Sequence, residues 1–107
     1  MATIKSTDEN FENLINENKI CITDFWATWC APCISISPIL EELSSELKDK
    51  GVVIAKHNID EEPNIPVKYN VRGIPTMILH VDGQLKDTKV GLTSKSDLKS
   101  WIESNIS

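Results

Sequence analysis

Two cysteines separated by two residues provide the clearest chemical signal in this chain. They lie in the motif Trp29-Cys30-Ala31-Pro32-Cys33, directly after an apolar segment, 20–26. Residues three apart on a helix bring their Cβ atoms to about 5–6 Å, and a disulfide accepts Cα separations of about 4.4–6.8 Å. Pro32 suits a first helical turn, where its missing N–H needs no partner. The motif therefore predicts a reversible disulfide at the start of a helix.

The position of each thiol on that helix predicts its role. Cys30 lies where free N–H groups and the helix dipole stabilise a thiolate, so we expect it to be the nucleophile. Cys33, one turn further along, is expected to be the buried resolving thiol that expels the product from a mixed disulfide. The alternative is a zinc pair, but the remaining candidate ligands repeat no short metal-binding spacing: Cys21, His57 and His80. Redox chemistry without a metal is the favoured interpretation.

A carboxylate inside an apolar segment is the second chemical feature. Asp24 precedes Cys30 by six residues and shares strand parity with Trp26, so it can lie beneath Cys33. Burial raises the pKa of a carboxyl group, which suits a group that takes the Cys33 proton through water. The alternative is a structural ion pair with Lys56 on a neighbouring strand. We favour the proton shuttle, and the two roles are compatible.

Length, charge and cysteine count restrict location and partners. The 107 residues fit one domain, 1–107, that can bury a core unaided. A formal net charge of −5 with scattered basic residues predicts no nucleic-acid partner. The sequence lacks a signal-peptide pattern and an apolar run of about 18 residues, so we expect no membrane association. Three cysteines leave an odd thiol, which favours the cytoplasm, a reducing compartment. We also expect a monomer.

Hydrophobic periodicity predicts the element order β-α-β-α-β-α-β-β-α. The predicted strands cover residues 3–5, 20–27, 52–59, 76–81 and 85–90. Four helices are predicted. The first follows a capping box at 6–9, and the second runs from about 33 to 48 and contains Pro38. The third lies within 63–69, and the fourth follows a cap formed by Ser94 and Asp97. The β-α-β segment favours parallel pairing with a right-handed crossover, and Asp82-Gly83 predicts a hairpin.

This element order, with Cys-x-x-Cys after the second strand, resembles the thioredoxin family over essentially the whole chain. The matching stretches are 24–33, Pro38, Lys56 with 58–60, 72–76 and 89–91. The resemblance implies the thioredoxin fold, an α/β fold with a central mixed five-stranded sheet flanked by four helices. Two positions depart from the family pattern: Ala31 stands where glycine is usual, and Ile34 where many members have lysine. These departures bear on redox potential and partner preference.

The resemblance also implies a function and a substrate groove. It implies a general protein-disulfide reductase that maintains redox homeostasis on disulfide-containing proteins. Thioredoxin reductase would recharge it, with NADPH and FAD confined to that partner and no cofactor bound by this chain. Whether it is an enzyme or an electron carrier stays open. Lys56 would act beside Asp24. The groove would comprise Trp29, Ala31, Pro32, Gly73, Ile74, Pro75 and Gly91, with a cis Ile74–Pro75 bond.

Two other functions remain as alternatives. The first is a non-catalytic interaction subunit that uses the same groove. The second is a disulfide oxidant or isomerase, although those relatives usually have histidine where Pro32 stands.

Several residues are expected to be structural. Cys21 is predicted to be a small core residue that cannot pair with the motif cysteines, because its Cα lies at least about 9 Å from theirs and a disulfide allows about 7 Å at most. His57 and His80 are expected to be structural or solvent-facing, without a positioned partner. The acidic run 60–62 is interpreted as a solvated loop.

Overall fold

The structure, a computed structural model, describes residues 2–106. The strands are β1 (Ile4–Ser6), β2 (Ile20–Trp26), β3 (Val52–Asn58), β4 (Thr76–Val81) and β5 (Gln84–Val90). The α-helices are α1 (Phe11–Glu17), α2 (Ala31–Glu46), α3 (Asn64–Lys68) and α4 (Lys95–Glu103), and a 3₁₀ turn, Lys48–Lys50, follows α2. This is the predicted element order. No helix within residues 2–106 is long and apolar enough to cross a membrane.

The five strands form one mixed sheet in the order β1-β3-β2-β4-β5. β1 and β2 run parallel to β3, which confirms the predicted parallel β-α-β unit. β4 runs antiparallel to β2, and β5 runs antiparallel to β4. Asp82 and Gly83 both have positive φ angles, 51° and 82°, as expected of a two-residue hairpin turn. The thioredoxin fold implied by the sequence is confirmed.

Helices cover both faces of the sheet because β2 is apolar on both sides. Successive side chains of a strand point to opposite faces, so alternate residues of β2 enter different cores. The first core packs β2 against α2 and α4, and it includes Ile20, Ile22, Ile36, Leu40 and Leu98. The second core packs β2 against α1 and α3, and it includes Phe11, Ile15, Cys21, Phe25 and Ile65.

Side-chain hydrogen bonds mark the starts of α1 and α4. The Asn10 N–H donates to Thr7 Oγ1 (3.0 Å) and the Thr7 N–H donates to Asn10 Oδ1 (2.7 Å), so this pair forms the reciprocal bonds that precede α1. The predicted box at 6–9 was therefore wrong by one register, because Ser6 closes β1 and is buried. The Ser94 cap on α4 is confirmed, since its Oγ accepts the Asp97 N–H at 3.1 Å.

Candidate active site

The two motif cysteines form a disulfide at the N-terminus of α2. Their Cα atoms are 5.2 Å apart, and Pro32 occupies the first turn of the helix. Cys30 is itself the N-cap residue, in an extended conformation, and its Sγ accepts the Cys33 N–H at 3.2 Å. The helix therefore begins two residues earlier than predicted. A thiolate at Cys30 would meet both this N–H group and the positive end of the helix dipole.

The disulfide is largely buried, and Cys30 is the more exposed of its two cysteines. Cys30 is 5% exposed and Cys33 is 1% exposed. Ala27 packs against both cysteines, with Trp26, Ile59 and Ile74 around them. Ala31 and Pro32 are exposed beside them. An incoming disulfide can therefore approach Cys30 more readily than Cys33.

The loop before β4 faces the Cys30 sulfur. Its Ile74–Pro75 peptide bond is cis, as the resemblance implied. The Ile74 carbonyl oxygen lies 3.8 Å from Cys30 Sγ, and the Pro75 carbonyl accepts the Gly91 N–H at 2.8 Å. Gly73 is exposed in the same loop. The structure thus places Ile74 against the disulfide, with Gly73 and Pro75 as its neighbours in the loop and Gly91 bonded to that loop.

Trp29 stands at the rim of this site and is fixed by a neighbouring loop. Trp29 is 67% exposed. The indole Nε1–H donates to Asp60 Oδ2 at 2.8 Å. Asp60 was expected to lie in a solvated loop; it is exposed, and it also orients the Trp29 indole.

Asp24 lies on the same face of the sheet as α2. It shares strand parity with Ile22, which packs in the first core. The residue is fully buried, and neither carboxylate oxygen has a hydrogen-bond partner within residues 2–106. Burial raises its pKa to about 7, an effect that the positive charge of Lys56 partly offsets. The carboxyl group can therefore both hold and release a proton near neutral pH.

Lys56 is paired with Asp24 in strand register, and its ammonium group turns towards α2. Lys56 Nζ donates to Ser37 Oγ at 2.6 Å and lies 4.5 Å from the centroid of the Trp26 ring. A cleft of about 460 Å³ opens beside it, with Thr28 in its wall. Water in this cleft can reach the lysine.

Two histidines pack against Phe11 in the second core, an environment that the sequence did not predict. His57 is fully buried and bonded through both ring nitrogens, to Ser6 and to Glu62. His80 is also buried, and its Nε2 lies 3.3 Å from the Tyr69 hydroxyl. The expectation that neither had a positioned partner was wrong. Strand parity could have predicted the burial of His57, because its neighbour Lys56 faces the other side of β3.

Cys21 is a free, buried thiol in the second core, as predicted. Burial raises its pKa to about 11. Within residues 2–106, no group of three or more His, Cys, Asp or Glu side chains is arranged to hold a metal ion.

Known proteins resemble this chain in sequence and in fold. The thioredoxin family model matches residues 2–104. The chain is 48% identical over 101 residues to thioredoxin from Rickettsia bellii, covering 94% of this chain and 95% of that protein. It is 44% identical over 106 residues to thioredoxin from Acidithiobacillus ferridurans, covering 98% and 97%. A mutant thioredoxin from Halobacterium salinarum NRC-1 superposes with a TM-score of 0.87 at 30% identity, covering 98% of this chain and 89% of that one.

The disulfide lies at the N-terminus of a helix that follows a central strand of a mixed sheet, and a loop containing a cis-proline faces it. This arrangement defines a class of dithiol–disulfide exchange proteins. With the matches above, the chain belongs to the thioredoxin family. Its chemistry is dithiol–disulfide exchange at the Cys30–Cys33 pair.

Proposed function

We propose that this protein is a general reductant of protein disulfides in the cytoplasm. It binds no cofactor, and a flavin-dependent, NADPH-consuming thioredoxin reductase returns it to the dithiol form. The observation that carries the proposal is the position of Cys30, which caps α2 and lies 3.8 Å from the Ile74 carbonyl oxygen. The relatives named thioredoxin support the reductase partner.

The exchange proceeds in two balanced steps. The Cys30 thiolate attacks one sulfur of the substrate disulfide, forms a mixed disulfide and releases the first substrate thiolate. The Cys33 thiolate then attacks Cys30 Sγ, which closes the internal disulfide and releases the second substrate thiolate. Two electrons pass from the protein to the substrate. The Cys33 N–H, which donates to Cys30 Sγ, stabilises the attacking thiolate before the first step.

Asp24 is proposed to take the Cys33 proton before the second step. Its buried carboxyl group has a pKa of about 7, so a substantial fraction is ionised and able to accept a proton at neutral pH. Lys56 keeps that pKa from rising further, because its positive charge favours the carboxylate. The proton is proposed to pass through water, which the cleft beside Lys56 admits as far as that lysine.

The substrate is proposed to dock as an extended segment along the loop that contains Ile74. An extended peptide can bond to a free backbone edge, and the Ile74 carbonyl beside Cys30 offers one acceptor for it. The rim of this groove is formed by Trp29, Ala31, Pro32, Gly73, Pro75 and Gly91. Its apolar character comes chiefly from exposed Trp29.

Reduction of insulin disulfides by NADPH and thioredoxin reductase tests the proposal. The wild-type protein should couple NADPH oxidation to insulin reduction, and Cys21→Ala should behave alike because Cys21 lies in the second core. The variant with Cys30→Ser and Cys33→Ser should be inactive. The proposed reductase activity of this chain would be refuted if dithiothreitol reduced the wild-type protein fully and the reduced protein then left insulin oxidised. Full activity of the double variant in a partner assay would instead indicate an interaction subunit.

A further inference from the structure

A buried polar network lies in the second core, on the opposite face of the sheet from α2. His57 Nδ1 is 2.8 Å from Ser6 Oγ. Its Nε2 is 2.9 Å from the Glu62 carbonyl oxygen and 3.3 Å from Asp8 Oδ1. Both atoms that face Nε2 are acceptors, so Nε2 carries a proton and donates it to the Glu62 carbonyl. In the neutral ring, Nδ1 then accepts the Ser6 hydroxyl.

Asp8 closes the network from the outside. Its carboxylate accepts the N–H groups of Asn64 and Ile65 at 3.0 and 2.9 Å, and its own N–H donates to Glu62 Oε1 at 2.8 Å. Partial burial acts to raise the pKa of Asp8, but these N–H groups and His57 outweigh it and lower the pKa. The Asp8 carboxylate is therefore an acceptor at neutral pH.

The segment 59–62 connects this network to the active site. At its far end, Glu62 receives the His57 bond through its carbonyl group. At its near end, the Ile59 N–H donates to the Trp26 carbonyl at 3.0 Å, and the Ile59 side chain packs against the cluster formed by Ala27 and the two cysteines. Asp60, between them, accepts the Trp29 indole N–H. Four consecutive residues thus contact the histidine, the disulfide and the rim tryptophan.

We propose that His57 is a positioning residue for the reduction of protein disulfides. By holding the Glu62 carbonyl from the buried side, it fixes the far end of segment 59–62, while Asn58 Oδ1 accepts the N–H groups of Asp60 and Glu61 in the middle. Asp60 in turn fixes the Trp29 indole at the rim of the groove. His57 touches neither the cysteines nor the groove, so it acts through this segment. The inference rests on the proposed function, because Trp29 matters most where a protein substrate docks.

A variant with Ser6→Ala and His57→Leu removes both partners of the Nδ1 bond, so no hydroxyl is left unpaired beside the new side chain. The Glu62 carbonyl loses its donor, which is the change under test. His57→Gln retains an amide donor and is the conservative variant. His80→Phe is the matched control, because His80 lies in the same core but bonds to Tyr69. Asp60→Ala cuts the same connection at its exposed end, where folding is not at risk.

The double variant should raise the KM for insulin about three- to tenfold, the factor that one net hydrogen bond represents. Its kcat, and the rate of Cys30 with a small aromatic disulfide, should stay at the wild-type value. Hydrogen exchange of the Ile59 and Glu62 amides should accelerate. Asp60→Ala should raise KM alike, and adding it to the double variant should change little further. His57→Gln should recover most of the KM.

An unchanged KM in both the double variant and Asp60→Ala would overturn the proposal. So would equal losses in the His80→Phe control, or wild-type exchange of the Ile59 and Glu62 amides in the double variant. If the wild-type protein failed to reduce insulin at all, the proposed function would be refuted instead. Amide exchange would still decide whether His57 fixes the segment.

Discussion

Asp24 and Lys56 lie directly opposite each other on neighbouring parallel strands, yet the lysine donates its hydrogen bond to Ser37. The two carboxylate oxygens of Asp24 have no hydrogen-bond partner within residues 2–106. The Asp24 carboxylate is stabilised by the Lys56 charge without a hydrogen bond, and burial disfavours its ionised form. These two effects together place the pKa of Asp24 at about 7, and the buried charge lowers the stability of the fold.

Asp24→Asn should stabilise the protein at alkaline pH and abolish a pH dependence of stability. The pKa of Asp24 is about 7 in the fold against 3.8 in the unfolded chain. Between these values the native state holds the extra proton, so the free energy of unfolding falls as pH rises from about 4 to 7 and then levels off. Removing the charge should yield a gain of a few kcal/mol at about pH 8. Urea unfolding of the oxidised protein measures this.

Exposed Asp49→Asn is the matched control for that experiment and should leave the pH dependence in place. An Asp24→Asn protein that is less stable than wild type at alkaline pH would contradict the desolvation argument.

Lys56→Met should shift the pH profile of mixed-disulfide release to higher pH. The positive charge of Lys56 lowers the pKa of Asp24. Removing the lysine therefore raises that pKa, and the release rate should begin to rise at a higher pH. Asp24→Asn should lose this rising limb and release product more slowly at neutral pH. Lys5→Met, which pairs with Lys56 in register but is exposed on β1, should keep the wild-type profile. Stopped-flow kinetics measures the release rate across pH. If Asp24 were not the proton acceptor, the rising limb of the pH profile would lie at the same pH in Lys56→Met as in the wild-type protein.

The fold could be predicted because each element carries a local signal. The two-sided apolar pattern of β2 predicts a central strand, and the cysteine motif with Pro32 predicts the helix start. The capping box was placed one residue early because Ser6 and Thr7 have the same capping chemistry, and only the end of β1 distinguishes them. The cis bond before Pro75 came from family resemblance, since few X-Pro bonds are cis.

Individual side-chain hydrogen bonds between distant segments could not be predicted. Ser6 and His57 are 51 positions apart, and the pairing exists only because β1 and β3 are in register. The partner of the His57 Nε2 is a backbone carbonyl, which every residue has, so no side-chain type marks it. Lys56 was expected beside Asp24, but its bond to Ser37 depends on how α2 crosses the sheet. Such sites require the tertiary structure.

Cys33→Ser should accumulate mixed disulfides with substrate proteins. Cys30 remains able to attack, and the thiol that would release the product is absent. The difference in exposure, 5% against 1%, supports this division of roles. Affinity capture followed by non-reducing electrophoresis detects the adducts, with Cys30→Ser as control. Adducts formed by Cys30→Ser alone would reverse the assignment.

Ala31→Gly should change the redox potential by no more than about 30 mV, or roughly 1.4 kcal/mol for a two-electron couple. Ala31 is the first residue of α2 and is exposed. Glycine costs about 1 kcal/mol of helix propensity relative to alanine, but both redox forms contain the helix, so most of this cost cancels. Equilibration with a glutathione buffer measures the potential. A larger shift would identify Ala31 as a determinant of the potential.

Cys21 should remain unmodified under conditions that alkylate the motif cysteines. Its thiol is buried in the second core, and its pKa of about 11 leaves roughly a hundredfold less thiolate than an ordinary cysteine has at mildly alkaline pH. In the variant with Cys30→Ser and Cys33→Ser, Cys21 is the one remaining thiol, so iodoacetamide uptake reports on it alone. Uptake should be negligible in the native protein and complete in guanidinium chloride. The rate should follow the opening of the fold, because alkylation requires the thiol to reach solvent. Rapid native alkylation would show that the second core opens around β2 far more often than its packing implies.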